Sequence, residues 1–115
     1  MKMIKAIIRP EKEELAVKQL EQIGICALTK WDVLGRGRQR GIQVGGTVYP
    51  ELPKVCLMLV VEDEEAAPVI EALMTAAYTG QPGDGRVFVS EIESSYVIRT
   101  GKPVKVDARP VTVVA

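Results

Sequence analysis

The sequence predicts an α+β fold of the ferredoxin-like type, βαββαβ, with a long loop between its second and third strands. Two observations carry this. Strand, helix and strand patterns follow one another twice, in halves of similar length. Between the halves lies a glycine- and arginine-rich stretch that fits neither period. The chain has 115 residues, the length of one domain, so residues 1–115 are expected to fold as a single unit.

Residues 1–9 contain MIKAII, end at Pro10 and read as a strand. Residues 11–23 read as a helix. Val17, Leu20 and Ile23 make its apolar stripe, Glu13, Glu14, Lys18 and Glu21 its wet side, and Gly24 fits the position past its end. Residues 27–34 alternate, with Thr29, Trp31 and Val33 on one face and Lys30 and Asp32 on the other, a second strand. Residues 55–62, VCLMLVVE, are apolar on both faces. Such a strand is central or covered by another subunit.

Residues 63–79 read as the second helix. Ile70, Leu73, Met74 and Ala77 recur at helical spacing and Gly80 stops it. Pro68 would fall past the first turn of a helix starting at Asp63, which moves the expected start nearer Ala66. Residues 86–91 are a further strand, and residues 95–99 a short one closed by Arg99. The tail, residues 101–115, has two prolines and ends PVTVVA; a packed arm and a disordered end both remain open. Both helices of this pattern lie on one sheet face, so an oligomer is the natural cover for the other.

Composition removes several function classes. The chain is 47% hydrophobic, yet its longest apolar run, residues 55–61, is far short of the ~20 residues of a spanning helix. No signal peptide is read in MKMIKAIIRPEKEE, and a cytoplasmic location is the expectation. Fifteen basic residues balance fifteen acidic ones, which argues against bulk electrostatic binding of nucleic acid. The chain has no histidine, so Ser-His and Cys-His catalysis within it are excluded. Cys56 reads as a core residue and Cys26 lies near a turn; a disulfide has weak support in a cytosolic chain.

Three segments resist a packing explanation. GRGRQRG, residues 35–41, has three arginines and three glycines in seven residues. Its glycines allow close backbone approach and anion-binding nests, and its arginines supply forks for phosphate or carboxylate. A solvated hairpin is the bland alternative. TGQPGDGRVFV, residues 79–89, is a plain helix-to-strand turn if taken alone, and it does not match a Walker loop. IRTGK, residues 98–102, alone is an exposed strand end. Brought together at the strand ends of this fold, the three make the composition of a polyphosphate site.

With KAIIRP near the start and LPKV at the loop exit, these five segments, in this order, resemble the PII signal-transduction (nitrogen regulatory) proteins along nearly the whole chain. The resemblance implies a compact homotrimer that binds ATP or ADP between subunits, and 2-oxoglutarate together with Mg-ATP. It implies that Ile7, Thr29, Gly35, Gly37, Arg38, Gln39 and Val60 line the nucleotide, with phosphate contacts from Gly83, Asp84, Gly85, Arg86 and Arg99. Gln39 would coordinate Mg²⁺, a hard cation that takes oxygen ligands. Lys54 would pair with a 2-oxoglutarate carboxylate, with Arg9, Gln39 and the Arg40-Gly41 backbone beside it. Residues 36–53 would be the effector T-loop, whose tip near Gly45-Gly46 contacts a target protein.

The sequence departs from the common pattern in four places. The loop is shorter than in enteric members. Tyr49 stands at a different distance from Leu52-Pro53 than the modified tyrosine there, so no uridylylation site is carried over. Arg36 stands where an aromatic is common, and Val97 where many members have a phosphate-binding arginine. The short loop most resembles the subgroup encoded beside nitrogenase genes. The resemblance thus implies a target of nitrogenase, with a second PII-like partner, or an ammonium transporter. It implies no nucleic-acid partner and no membrane insertion.

Two other classes compete. A slow ATPase would need a general base, for which Asp84 and Glu62 are the candidates. An RNA-binding sheet would need more than Trp31, Phe88, Tyr49, Tyr78 and Tyr96, and GRVFV lacks the full motif spacing.

Overall fold

A computed structural model describes residues 1–36, 42–49 and 51–103. Its elements run β1 (Lys2–Ile8), a 3₁₀ turn (Pro10–Lys12), α1 (Glu13–Gln22), β2 (Thr29–Gly35), β3 (Ile42–Val44), β4 (Thr47–Tyr49), β5 (Leu52–Val61), α2 (Asp63–Ala77), β6 (Gly85–Glu91), β7 (Tyr96–Val97) and β8 (Lys102–Pro103). The main sheet has the order β2-β5-β1-β6, antiparallel throughout. This is the ferredoxin-like arrangement that the sequence pattern predicts.

Alternation along the strands separates two faces. Ile4, Ala6 and Ile8 of β1, with Val55, Leu57, Leu59 and Val61 of β5, are buried in one core with Ala16 and Leu20 of α1 and Val69, Leu73 and Ala76 of α2. Leu57 and Leu73 are both fully buried there, where truncation to alanine costs ~2–5 kcal/mol. The opposite face carries Lys54, Cys56, Met58 and Val60, flanked in register by Trp31 and Thr29 on one side and by Met3, Lys5 and Ile7 on the other. Beyond them stand Arg86 and Phe88. The doubly apolar run at residues 55–61 is therefore the central strand β5. Cys56 is buried on the open face, Cys26 is exposed, and both are free thiols.

Local chemistry sets the helix ends. Pro10 fixes the first turn after β1 as 3₁₀, so α1 begins at Glu13 rather than at the expected residue 11. Its end is a Schellman motif: Gly24 N–H donates to Glu21 O (2.9 Å), Ile25 N–H donates to Leu20 O (2.9 Å), and Gly24 takes φ +84°. The structure corrects the expected start of α2. The helix begins at Asp63, capped by Glu62 in a reciprocal box with Glu65, and contains Pro68 on its exposed side.

Between β2 and β5, the Gly45-Gly46 pair turns the small β3–β4 hairpin, with φ +61° at Gly45 as a type II′ turn requires. β5 also starts earlier than predicted, because Leu52 and Pro53 pair with Gly35 and Leu34 of β2. The expected strand over 95–99 is reduced to Tyr96–Val97, paired with β8, and Arg99 sits in the turn between them rather than closing a strand. No helix among the described residues is long and apolar enough to cross a membrane.

Candidate functional site: two cations on a glycine turn

The turn that joins α2 to β6 is held from inside by one carboxylate. Asp84 Oδ2 accepts hydrogen bonds from the backbone N–H groups of Thr79 (2.8 Å) and Gly80 (2.9 Å). Its Oδ1 accepts from the Thr79 hydroxyl and from Arg9 Nε (3.2 Å). These bonds, the Thr79 hydroxyl first, hold the Asp84 carboxyl well below the usual carboxylate range. Four donors fill the four acceptor directions of a carboxylate. Asp84 is thus engaged in shaping the turn and poorly placed to serve as a general base. Glu62, the other candidate base, is engaged in the α2 cap.

Two glycines set the course of this turn. Gly83 and Gly85 have φ +98° and +108°, a region that residues with a Cβ rarely adopt. A Cβ on Gly85 would lie 1.7 Å from the Ile7 carbonyl oxygen, so only glycine lets β6 enter the sheet against β1 here.

Two cations reach the same turn from neighbouring strands at the same end of the sheet. Arg9, just past β1, donates through Nη2 to the Pro82 carbonyl (2.7 Å) as well as through Nε to Asp84. Lys54, in β5, is 8% exposed and donates through Nζ to the Gly83 carbonyl. Burial, and then the nearby Arg9 charge, lower the Lys54 pKa below its ordinary value. The pocket thus sets two cations against one saturated carboxylate, with Glu11 near enough to act on Lys54. That balance attracts an anion and disfavours a free metal cation. Among the described residues no cluster of acids, cysteines or histidines fits a metal. Mg²⁺ would therefore have to arrive with phosphate oxygens.

The structure brings together part of the expected site. Arg9, Lys54, Gly83, Asp84 and Gly85 form one group. Gly35 lies beside Lys54, where a Cβ would stand 3.2 Å from Lys54 Cγ. Ile7, Thr29, Val60 and Arg86 share the open sheet face. Arg99, in the β7–β8 turn, is not joined to this group by any described contact. Gly37, Arg38, Gln39, Arg40 and Gly41 lie outside the described residues, as does the tail beyond Pro103. Sequence reasoning gave no role to Thr79, whose hydroxyl and N–H both anchor Asp84; a Thr five positions before an Asp across two glycines is the only signal. On the helix side of the sheet a mainly apolar cleft of about 340 Å³ runs between α2 and β6, lined by Ile70, Leu73, Met74, Tyr78 and Val87 and reaching Asp84, Gly85 and Arg86 at the turn.

The chain matches a known family along most of its length. The family model described as nitrogen regulatory protein P-II matches residues 1–102. The chain is 53% identical over 100 residues to the nitrogen fixation nifHD region glnB-like protein 1 of Methanococcus maripaludis, covering 87% of this chain and 95% of that one. It is 50% identical over 103 residues to the nifHD1 region GlnB-like protein 1 of Methanosarcina barkeri, covering 90% and 98%. It is 42% identical over 106 residues to the nitrogen regulatory protein P-II of Rhizobium meliloti, covering 89% and 95%.

Proposed function

The chain belongs to the nitrogen regulatory protein P-II family, and on that premise we propose that it is a trimeric sensor of ATP, ADP and 2-oxoglutarate that controls a target through residues 36–53. The observation that carries this is the convergence of Arg9 and Lys54 on the Gly83–Gly85 turn. A dicarboxylate finds two cations there, and the neighbouring turn offers glycine backbone to phosphates.

In this reading the nucleotide lies between subunits against Ile7, Thr29, Gly35, Gly37, Arg38, Gln39 and Val60, with phosphates at Gly83, Gly85, Arg86 and Arg99. Asp84 shapes the phosphate turn from behind. 2-Oxoglutarate takes Lys54 and Arg9, with Gln39 and the Arg40-Gly41 backbone, and Gln39 offers its amide oxygen to the Mg²⁺ that accompanies ATP. Residues 36–53, the last two of which already pair into β5, form the effector loop, and residues 101–115 form a tail that starts in β8. The protein is cytoplasmic and regulatory rather than an enzyme. The relatives from Methanococcus maripaludis and Methanosarcina barkeri are named for a nitrogen fixation nifHD region, which supports nitrogenase as the target; the family resemblance adds a second PII-like subunit as partner. An ammonium transporter is the alternative target.

Calorimetric titration of 2-oxoglutarate, with and without Mg-ATP, alongside a light-scattering mass, tests the reading. Heat only with Mg-ATP, from a trimer, is expected; no heat in either condition overturns it. Lys54→Ala should abolish 2-oxoglutarate binding while changing ADP binding far less. Equal loss of both would refute the role given to Lys54.

A further inference from the structure

We propose that Lys54 is a two-position switch whose ammonium leaves the Gly83 carbonyl when a dicarboxylate binds, and that this exchange couples the anion pocket to the phosphate turn. The inference rests on the ligand reading above and adds its mechanism of coupling.

The pocket for the carboxylate is already filled by backbone oxygens. Lys54 Nζ donates to Gly83 O, and Arg9 Nη2 donates to Pro82 O at 2.7 Å. Gly83 sits tightly against both cations: a Cβ there would be 3.3 Å from Arg9 Nη2 and 3.4 Å from Lys54 Nζ. A carboxylate that enters between the cations meets the Gly83 carbonyl oxygen. Two oxygens, one anionic and one a dipole's negative end, repel at that distance. The nearly buried ammonium cannot be left without an acceptor, so it follows the stronger, charged one.

The carbonyl has somewhere to go. Gly83 has no Cβ to hinder rotation about its own Cα–C bond, the bond that turns this carbonyl. The frame around that peptide is fixed. Asp84 holds Thr79, Gly80 and Arg9 through four hydrogen bonds. The Gly83–Asp84 peptide therefore pivots while the frame stays. As its carbonyl turns out, the Asp84 N–H turns in, and the turn changes from acceptor to donor. A donor-rich turn favours phosphate. Dicarboxylate and phosphate then raise each other's affinity, and the coupling is reciprocal.

The test is carbon-13 NMR of the labelled full chain, read at the Gly83 carbonyl. Mg-ATP is added to saturation first, then 2-oxoglutarate. The Gly83 resonance should hold its hydrogen-bonded position through the Mg-ATP step. It should move upfield in proportion to 2-oxoglutarate saturation. In Lys54→Met it should begin upfield and stay there. The switch is overturned if 2-oxoglutarate saturates wild type in a Lys54-dependent way with the Gly83 resonance unmoved, or if the whole shift comes with Mg-ATP. If 2-oxoglutarate produces no Lys54-dependent binding heat, the underlying ligand reading fails, and the switch fails with it.

Discussion

Gly24 and Gly85 both take positive φ, yet their surroundings set them apart. Around Gly24 (φ +84°) an added Cβ meets nothing within 4 Å. At Gly85 (φ +108°) it meets the Ile7 carbonyl oxygen at 1.7 Å. Gly24→Ala should cost roughly the 1–2 kcal/mol of left-handed backbone alone. Gly85→Ala should cost clearly more, because the end of the β1–β6 pairing must open. Urea midpoints of the two variants decide this, and equal losses would refute it. Asp84 gives a second test, in pH. Its pKa is depressed in the folded chain, against about 3.9 unfolded. Its contribution is therefore fully present above about pH 4 and is lost as the pH falls further. The stability gap between wild type and Asp84→Asn should be widest at pH 7 and visibly smaller, though not closed, at pH 3, because the folded carboxyl still resists protonation there. A gap of the same size at both would mean that the charge of Asp84 does not matter.

At the scale of elements, α2 holds the clearest test. Glu62 and Glu65 close its N-terminal turn, with Glu65 Oε1 accepting from the Glu62 N–H at 3.2 Å. Glu62→Ala should lower stability by about 1 kcal/mol. Pro68 is exposed and lies inside the helix, where its ring displaces one backbone hydrogen bond. Pro68→Ala should therefore raise the midpoint, since the helix gain of up to ~3 kcal/mol exceeds the ~0.4–1 kcal/mol that proline takes from the unfolded chain's entropy. A lowered midpoint would show that the proline is needed in place. This helix also shows what the sequence could and could not say. Its apolar stripe was legible, but its start was not, because Pro68 argued for a later one and Glu is not among the preferred capping residues. β5 reaches Leu52 for a similar reason: pairing with β2 overrides a Pro and a Lys that read as loop. The ion cluster was less legible still. Arg9 and Asp84 are 75 positions apart, and Lys54 and Gly83 are 29 apart. Only the family likeness joined them in advance, and it said nothing of Thr79.

For the whole molecule, the open sheet face decides between one chain and three. Trp31 and Phe88 remain 41% and 50% exposed there, flanking Met58 and Ile7. A soluble monomer seldom leaves such a face bare. The proposed nucleotide residues Ile7, Thr29, Val60 and Arg86 lie on this same face, so assembly and ligand binding should fail together. Phe88→Asp separates this from simple unfolding. Phe88 stands directly opposite Lys5 on β1, so the new carboxylate gains a cross-strand partner within its own chain. The protomer should keep its fold by circular dichroism. In the trimer the same carboxylate would be pressed into an apolar interface, away from water. The light-scattering mass should therefore fall from three chains to one. Nucleotide affinity should drop roughly tenfold or more, a loss of about 1.4 kcal/mol or greater, although no proposed ligand contact has been altered. A monomer with unchanged nucleotide affinity would mean that each chain carries a complete site. A trimer that survives the substitution would move the interface off this face altogether.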